Sequence, residues 1–221
     1  MPFVCAKIAS SIDGKIADIN GKSRWITSER SRRTVQDLRR EYRCIATGIN
    51  TVLYDDCTLI PRSVSLSDDF FNKYHRVIFD SSLKIGIDSN IVNTANMSKV
   101  IIFTLNKKNK KKISLLREQG LDIIYIDPDK RGKIPLRTAL KILYDDYEIV
   151  SVLIESGNRL LSSFLKEGLI DKFIFHIAPK IIGKSPYGFL DDYEIDDLSK
   201  AFNIEFDKIK KIGPDISISA Y

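Results

Sequence analysis

The chain has 221 residues, 43% hydrophobic and 29% charged, a balance that supports one large packed domain, or two very small ones, and excludes a disordered chain. No run of 18 apolar residues occurs, which excludes a helical membrane span, and Lys7, Asp13 and Lys15 interrupt any signal-peptide pattern at the start. The net charge of +6 draws much of its excess from KKNKKK at 107–112, read as the solvated start of a helix and not as a nucleic-acid surface, because no aromatic residues interleave it.

Residues 3–9 (FVCAKIA) predict a buried strand. The stretch KIASSIDGKIA then holds Asp13-Gly14, the dipeptide of tight hairpins, between two partly alternating segments. Its Lys7, Ser10 and Ser11 are polar groups that an edge hairpin does not need. Ser28 is placed as an N-cap, Glu29 suits the positive end of a helix, and Val35, Leu38 and Tyr42 recur at helical spacing. CIATG at 44–48 is a strand closed by glycine, residues 49–56 a turn or short helix, and residues 63–74 a polar loop. Strands follow at 75–80 (HRVIFD), 99–104 (KVIIFT) and 121–127 (LDIIYID), with a helix before the last that ends near Gly120. An amphipathic helix covers 135–147, a strand 148–155 and a helix 158–166, and a further strand lies within 169–183. The tail reads as two alternating strands joined at Gly213-Pro214. This alternation predicts an α/β fold: one domain over 1–221, a central mostly parallel sheet with helices on both faces, and an antiparallel C-terminal hairpin.

Chemistry concentrates at a few turns. In VLIESGNRLLSSFL an apolar strand ends in Glu155, and Ser156-Gly157 turns directly into a helix, exposing amides and the positive dipole end to an anion. The spacing is not G-x-G-x-x-G, and a glycine that merely turns the chain is the competing reading. GINTVLYDD repeats the logic with Gly48 and Thr51, and its Asp55-Asp56 is an acid pair, a set of metal ligands, or one of several Asp doublets of no consequence. Only His75 and His176 occur, far apart, which argues against a transition-metal site and makes each structural or superficial. Arg39 beside Leu38, and Arg62 after Ile60-Pro61, offer planar forks for a phosphate, or are solvated cations. Cys5, Cys44 and Cys57 form no C-x-x-C pair, which points to reduced thiols and a cytoplasmic setting.

Taken in order, these fragments resemble a family. The motifs are K-x-A-x-S-x-D-G-K-x-A from Lys7, G-x-S-x-W-I-T from Gly21, the arginine helix from Arg32 to Arg39, and G-x-x-T-V-L-x-D-D from Gly48. They continue with V-I-x-D-S from Val77, E-x-G from Glu155, L-x-D…A-P-K-x-x-G from Leu169 and G-P-D at Gly213. The chain resembles the reductase domain of the bifunctional riboflavin-biosynthesis deaminase–reductase, whose fold is like dihydrofolate reductase. Within this sequence the zinc deaminase motifs H-x-E and P-C-x-x-C do not occur.

The resemblance implies NADPH-dependent reduction of the ribosylamino side chain of 5-amino-6-(5-phosphoribosylamino)uracil. It implies cofactor contacts at Ala9, Trp25, Thr51, Asp55, Ser81, Gly157, Asn158, Arg159, Leu160, Leu161, Ser162 and Ser163. Substrate contacts are implied at Ser23, Arg39, Leu59, Arg62 and Glu155, with the two arginines on the 5′-phosphate. Lys7, Asp55 and Glu155 are the candidate catalytic groups. A homodimer is expected, with no metal, nucleic acid or membrane partner. The rivals are the 2,5-diaminopyrimidinone reductase of the same fold, against which the Trp25-Ile26-Thr27 signature leans, a dihydrofolate reductase-like enzyme, and a non-catalytic NADP-binding module.

Overall fold

The computed structural model describes residues 1–62 and 66–221. In chain order its elements are β1 (Phe3–Ser11), α1 (Glu29–Glu41), β2 (Cys44–Gly48), α2 (Ile49–Asp55), α3 (Asp68–Asn72), β3 (His75–Phe79), α4 (Asn90–Asn93) and β4 (Lys99–Thr104). They continue as α5 (Lys110–Glu118), β5 (Asp122–Tyr125), α6 (Leu136–Tyr147), β6 (Ser151–Ile154), α7 (Asn158–Lys166), β7 (Lys172–Ala178), β8 (Phe206–Ile212) and β9 (Asp215–Ala220). The expected mixed α/β architecture, mostly parallel with an antiparallel C-terminal pair, is present. No described helix is long and apolar enough to cross a membrane.

The chain divides into two compact units. The first comprises Met1–Pro2 and Leu38–Leu153. Its strands lie in the order β5-β4-β3-β2-β6, and β2 to β5 pair in parallel. Ile45, Val77, Ile78, Ile101, Ile102 and Phe103 are fully buried, as expected where parallel strands are covered on both sides and therefore read as unbroken apolar runs. Helix α6 buries Leu136, Ala139, Leu140 and Leu143 at 3.6-residue spacing and presents its charges outward.

The second unit comprises Phe3–Asp37 and Ile154–Tyr221. Here the order is β1-β7-β9-β8, with β1 parallel to β7 and the last three strands antiparallel. The β8–β9 turn needs Gly213, whose φ is +62° and whose added Cβ would lie 3.1 Å from Arg30 Cδ.

Three expectations are corrected. Residues 68–72 of the predicted loop form α3, because Ser67 caps it by accepting the Phe70 N–H, Asp68 and Asp69 suit its first turn, and Phe70 stacks on Tyr74. (Residues 63–65 of that loop lie outside the described residues.) The strand expected at 148–155 shortens to Ser151–Ile154, since Glu148 closes α6 in a left-handed conformation. Finally, Asp13-Gly14 turns the chain tightly but starts no second strand of a hairpin. The Ser11 N–H donates to Lys15 O (2.9 Å) and the Gly14 N–H to Ser11 O (3.0 Å), only Gly14 of the pair has positive φ, and Lys15 then bridges to Gly188. The Asp13 carboxylate accepts from Ser11 Oγ and from the amides of Ile182 (3.1 Å) and Gly183 (2.8 Å). Those bonds, from Ser11 first and then Gly183, bring its pKa down to about 2. The polar groups around this turn thus fasten a distant segment.

Candidate active site

In the second unit, strand alternation puts Lys7, Ala9 and Ser11 on one face of β1, level with Ile174, His176 and Ala178 of β7. Ser217 of β9 stands beside His176, and Asp215 falls on the same face two residues earlier. Asp215 is 1% exposed and accepts from the Ser28 amide (2.7 Å) and from Ser31 Oγ. Ser28 Oγ accepts in turn from the Ser31 amide, which makes it the expected cap of α1. Burial pushes the Asp215 carboxyl up, but the bonds from Ser31 and Ser28, with His176 close by, outweigh it and leave the group below the usual carboxylate range.

His176 is 2% exposed, and its Nδ1 has no hydrogen-bond partner among the described residues. Burial first, and then the Lys7 ammonium, drive its pKa down to about 4 against the pull of Asp215 and Glu155. The folded protein therefore holds this ring neutral where the unfolded chain protonates it. Stability is expected to fall as pH drops from about 6.5 to about 4, by about 3 kcal/mol for a shift of this size. His176→Gln lacks that loss, so the difference in unfolding free energy between wild type and variant, from urea denaturation at pH 7 and pH 4, should narrow by about that amount. A pH-independent difference would contradict it.

Glu155, half-buried, directly follows β6. Gly157 is the N-cap of α7, with φ −71° and ψ 174°, and supplies no side-chain cap. A Cβ added there would meet nothing within 4 Å. Next to it, Ser156 Oγ is buried without a hydrogen-bond partner among the described residues. An uncapped helix start beside an orphaned hydroxyl is suited to an anionic, hydrogen-bonding ligand. The rest of the expected run divides. Leu161 and Ser162 are 4% and 3% exposed, and Ser162 Oγ accepts the Asp191 amide at 2.8 Å. Arg159 pairs with Asp191 through Nε at 3.1 Å, and Ser163 Oγ donates to Arg159 O. The second turn thus packs and, with Arg159 of the first, holds Asp191, while in the first turn the Arg159 amide is bonded to Asn158 Oδ1 at 3.0 Å. Trp25 is 59% exposed, with the Arg32 guanidinium 4.3 Å from its ring centroid and Lys180 Nζ donating to its carbonyl. Ser23 is half-buried.

The first unit carries the other expected residues. Thr51 and Asp55 are half-buried on α2, and Ser81 is exposed just past β3. The Asp55-Asp56 doublet separates in role. Asp56 takes φ 42° and its carboxylate accepts from Asn90 N (2.9 Å) and Nδ2 (2.8 Å), which makes it a structural tie. Among the described residues no group of His, Cys, Asp and Glu is placed to hold a metal ion. Arg39 is half-buried near the end of α1, and Arg62 is exposed. Leu59 sits at φ 58° with its side chain 2% exposed, so it offers a ligand its backbone.

Sequence reasoning missed Tyr74 and Arg76, which bond to the Leu59 and Thr58 carbonyls. A signal was present: arginine inside the apolar strand HRVIF is buried only if something satisfies it.

The architecture is that of an α/β protein, and its α7 terminus, which Gly157 leaves without a side-chain cap, is suited to an anion. Residues 2–218 match the RibD C-terminal domain, and the chain belongs to that family. It is 33% identical over 217 residues to the riboflavin biosynthesis protein RibD of Aquifex aeolicus, covering 98% of this chain and 57% of that protein. It is also 33% identical over 206 residues to the 5-amino-6-(5-phosphoribosylamino)uracil reductase of Buchnera aphidicola from Acyrthosiphon pisum, covering 90% and 96%. The solved Acinetobacter baumannii RibD superposes with a TM-score of 0.86 at 30% identity, over 100% of this chain and 57% of that one. The chain therefore spans a little over half the length of the RibD proteins it matches. Reductases of this kind are oxidoreductases, and the family supports a nicotinamide cofactor.

Proposed function

We propose that the protein uses NADPH to reduce the ribosylamino side chain of 5-amino-6-(5-phosphoribosylamino)uracil to ribitylamino. The observation that carries this is the start of α7, where Gly157 supplies no side-chain cap beside the unpartnered Ser156 hydroxyl and the Arg159 amide is held only by its neighbour Asn158 Oδ1 at 3.0 Å. The residues present fit a dinucleotide phosphate there: a Cβ-free cap with open space, free of carboxylates in the first turn of the helix. Ala9, Trp25, Thr51, Asp55, Ser81 and α7 from Gly157 onward are assigned to NADPH, with its phosphates at residues 157–160 and the helix behind them supported by Leu161, Ser162 and Ser163. The cofactor, when bound, supplies the hydride.

The remaining work belongs to the side chains. Arg39 and Arg62 hold the substrate's 5′-phosphate by charge-assisted hydrogen bonds. Ser23, the Leu59 backbone and Glu155 orient the pyrimidine and sugar. The ribosylamine ring must open before C1′ can be reduced, which requires a proton at the ring oxygen, and Lys7, Asp55 and Glu155 are the assigned candidates for handling it. One reductase domain over 1–221, paired as a homodimer, completes the reading, and sedimentation checks the pairing.

The test is NADPH oxidation in the presence of the phosphoribosylaminouracil. Turnover is expected, and its absence at high enzyme concentration overturns the proposal. Arg39→Ala and Arg62→Ala should each raise KM by roughly 10- to 100-fold, for about 1.5–3 kcal/mol of a hydrogen bond to a charged group. NADPH affinity should stay within about twofold. An equal loss of cofactor binding would show that these arginines serve the other ligand.

A further inference from the structure

Two side chains outside the proposed contacts converge on one stretch of backbone. Tyr74, 1% exposed, donates its hydroxyl to Leu59 O at 2.9 Å. Arg76, on β3 and 0% exposed, donates Nη1 to Thr58 O at 3.1 Å. Its remaining bonds reach Thr94 Oγ1 (2.8 Å), Thr94 O (2.7 Å) and Ser98 O (2.7 Å), with a longer contact to Ile91 O. The same guanidinium thereby ties the 58–59 backbone to the segment that follows α4. The carbonyls so held belong to a strained place: Leu59 is in the left-handed region at φ 58°, which a leucine adopts only when its surroundings enforce it. Arg62 lies three residues further along and is exposed.

We propose that Tyr74 and Arg76 are positioning residues for the phosphosugar subsite, locking the Thr58–Leu59 backbone so that Leu59 presents its amide plane and Arg62 its guanidinium in one arrangement. This rests on the assignment of Leu59 and Arg62 to the substrate. Without the two anchors, Leu59 relaxes toward the extended region and the segment leading to Arg62 samples many positions, so the substrate's phosphate must order it on binding. The cost then appears in substrate affinity and leaves the chemical step unchanged.

The experiment uses Tyr74→Phe, which keeps the ring stacked 5.2 Å from Phe70 and removes only the hydroxyl. The expected result is a rise in KM for the phosphoribosylaminouracil of about fivefold, the worth of one neutral hydrogen bond. kcat and NADPH affinity should stay within about twofold. Hydrogen exchange of the ligand-free variant should quicken at the amides of residues 58–60 and 62 and hold elsewhere. Unchanged KM in an active variant, or equal loss of NADPH affinity, overturns the positioning role, whereas a general fall in stability does not move KM against kcat. Should the wild type fail to turn over this substrate, the proposed function falls, and exchange at 58–62 decides the anchoring by itself: faster in Tyr74→Phe supports it, identical overturns it. Arg76→Lys, carried through the same measurements, should move KM in the same direction, since one ammonium cannot serve acceptors on both segments.

Discussion

Arg76→Met is expected to lower the unfolding free energy by about 3–5 kcal/mol, because it strips the donor from several buried acceptors at about 1 kcal/mol each. Arg76 is 0% exposed, and among the described residues no carboxylate pairs with it. Its charge is offset instead by the carbonyls of Thr58, Thr94 and Ser98 and by the Thr94 hydroxyl. Burial lowers its pKa to about 10, with a smaller opposing influence from Tyr74, so it stays charged near neutral pH. Methionine matches the apolar stem and leaves those carbonyls facing a thioether that donates nothing. For a chain of this size the melting temperature should fall by roughly 6–20 °C. Urea denaturation of wild type and variant measures it. A variant as stable as wild type would mean that water or a backbone shift satisfies the freed carbonyls at little cost, and the hub would lose its importance.

The second large effect separates stability from binding. Gly157→Asp should leave folding intact or improve it, because the cap backbone is extended at φ −71°, the space around a new Cβ is open, and Asp is a good N-cap at the positive end of α7. The gain is a few tenths of a kcal/mol. NADPH affinity should fall by about 30-fold or more, since the new carboxylate takes the amides assigned to the cofactor phosphates and repels those phosphates, a loss of about 2 kcal/mol. Gly157→Asn, the same size without the charge, should lose less. Thermal melts and NADPH titration read the two arms. A better-capped helix with unchanged NADPH binding would place the cofactor phosphates elsewhere.

Much of the fold was legible because its signals are local. CIATG and KVIIFT are short apolar runs between turn residues, and β2 and β4 match them residue for residue. Helix α7 also begins and ends as its glycine turn and periodicity predicted. The loop that contained α3 misled because a five-residue helix depends on a single cap and one aromatic contact, and β6 came out short because Glu148 still belongs to the end of α6. The site was legible in a different way. Ordered motifs named the candidate residues, but no spacing told which of them are open, such as Trp25, and which are packed, such as Ser162.

By itself the sequence determined where most strands and helices lie, the terminal hairpin and the glycine turn after Glu155, because periodicity, glycine and capping act within a few residues. Only the tertiary structure decided that Asp13 fastens the amides of 182–183, that His176 is held neutral on the same face as Asp215, and that Arg76 is a buried hub under Leu59. Each of these joins residues distant in the chain. Burial and the search of every buried polar group for a partner set them, and neither leaves a period in the sequence.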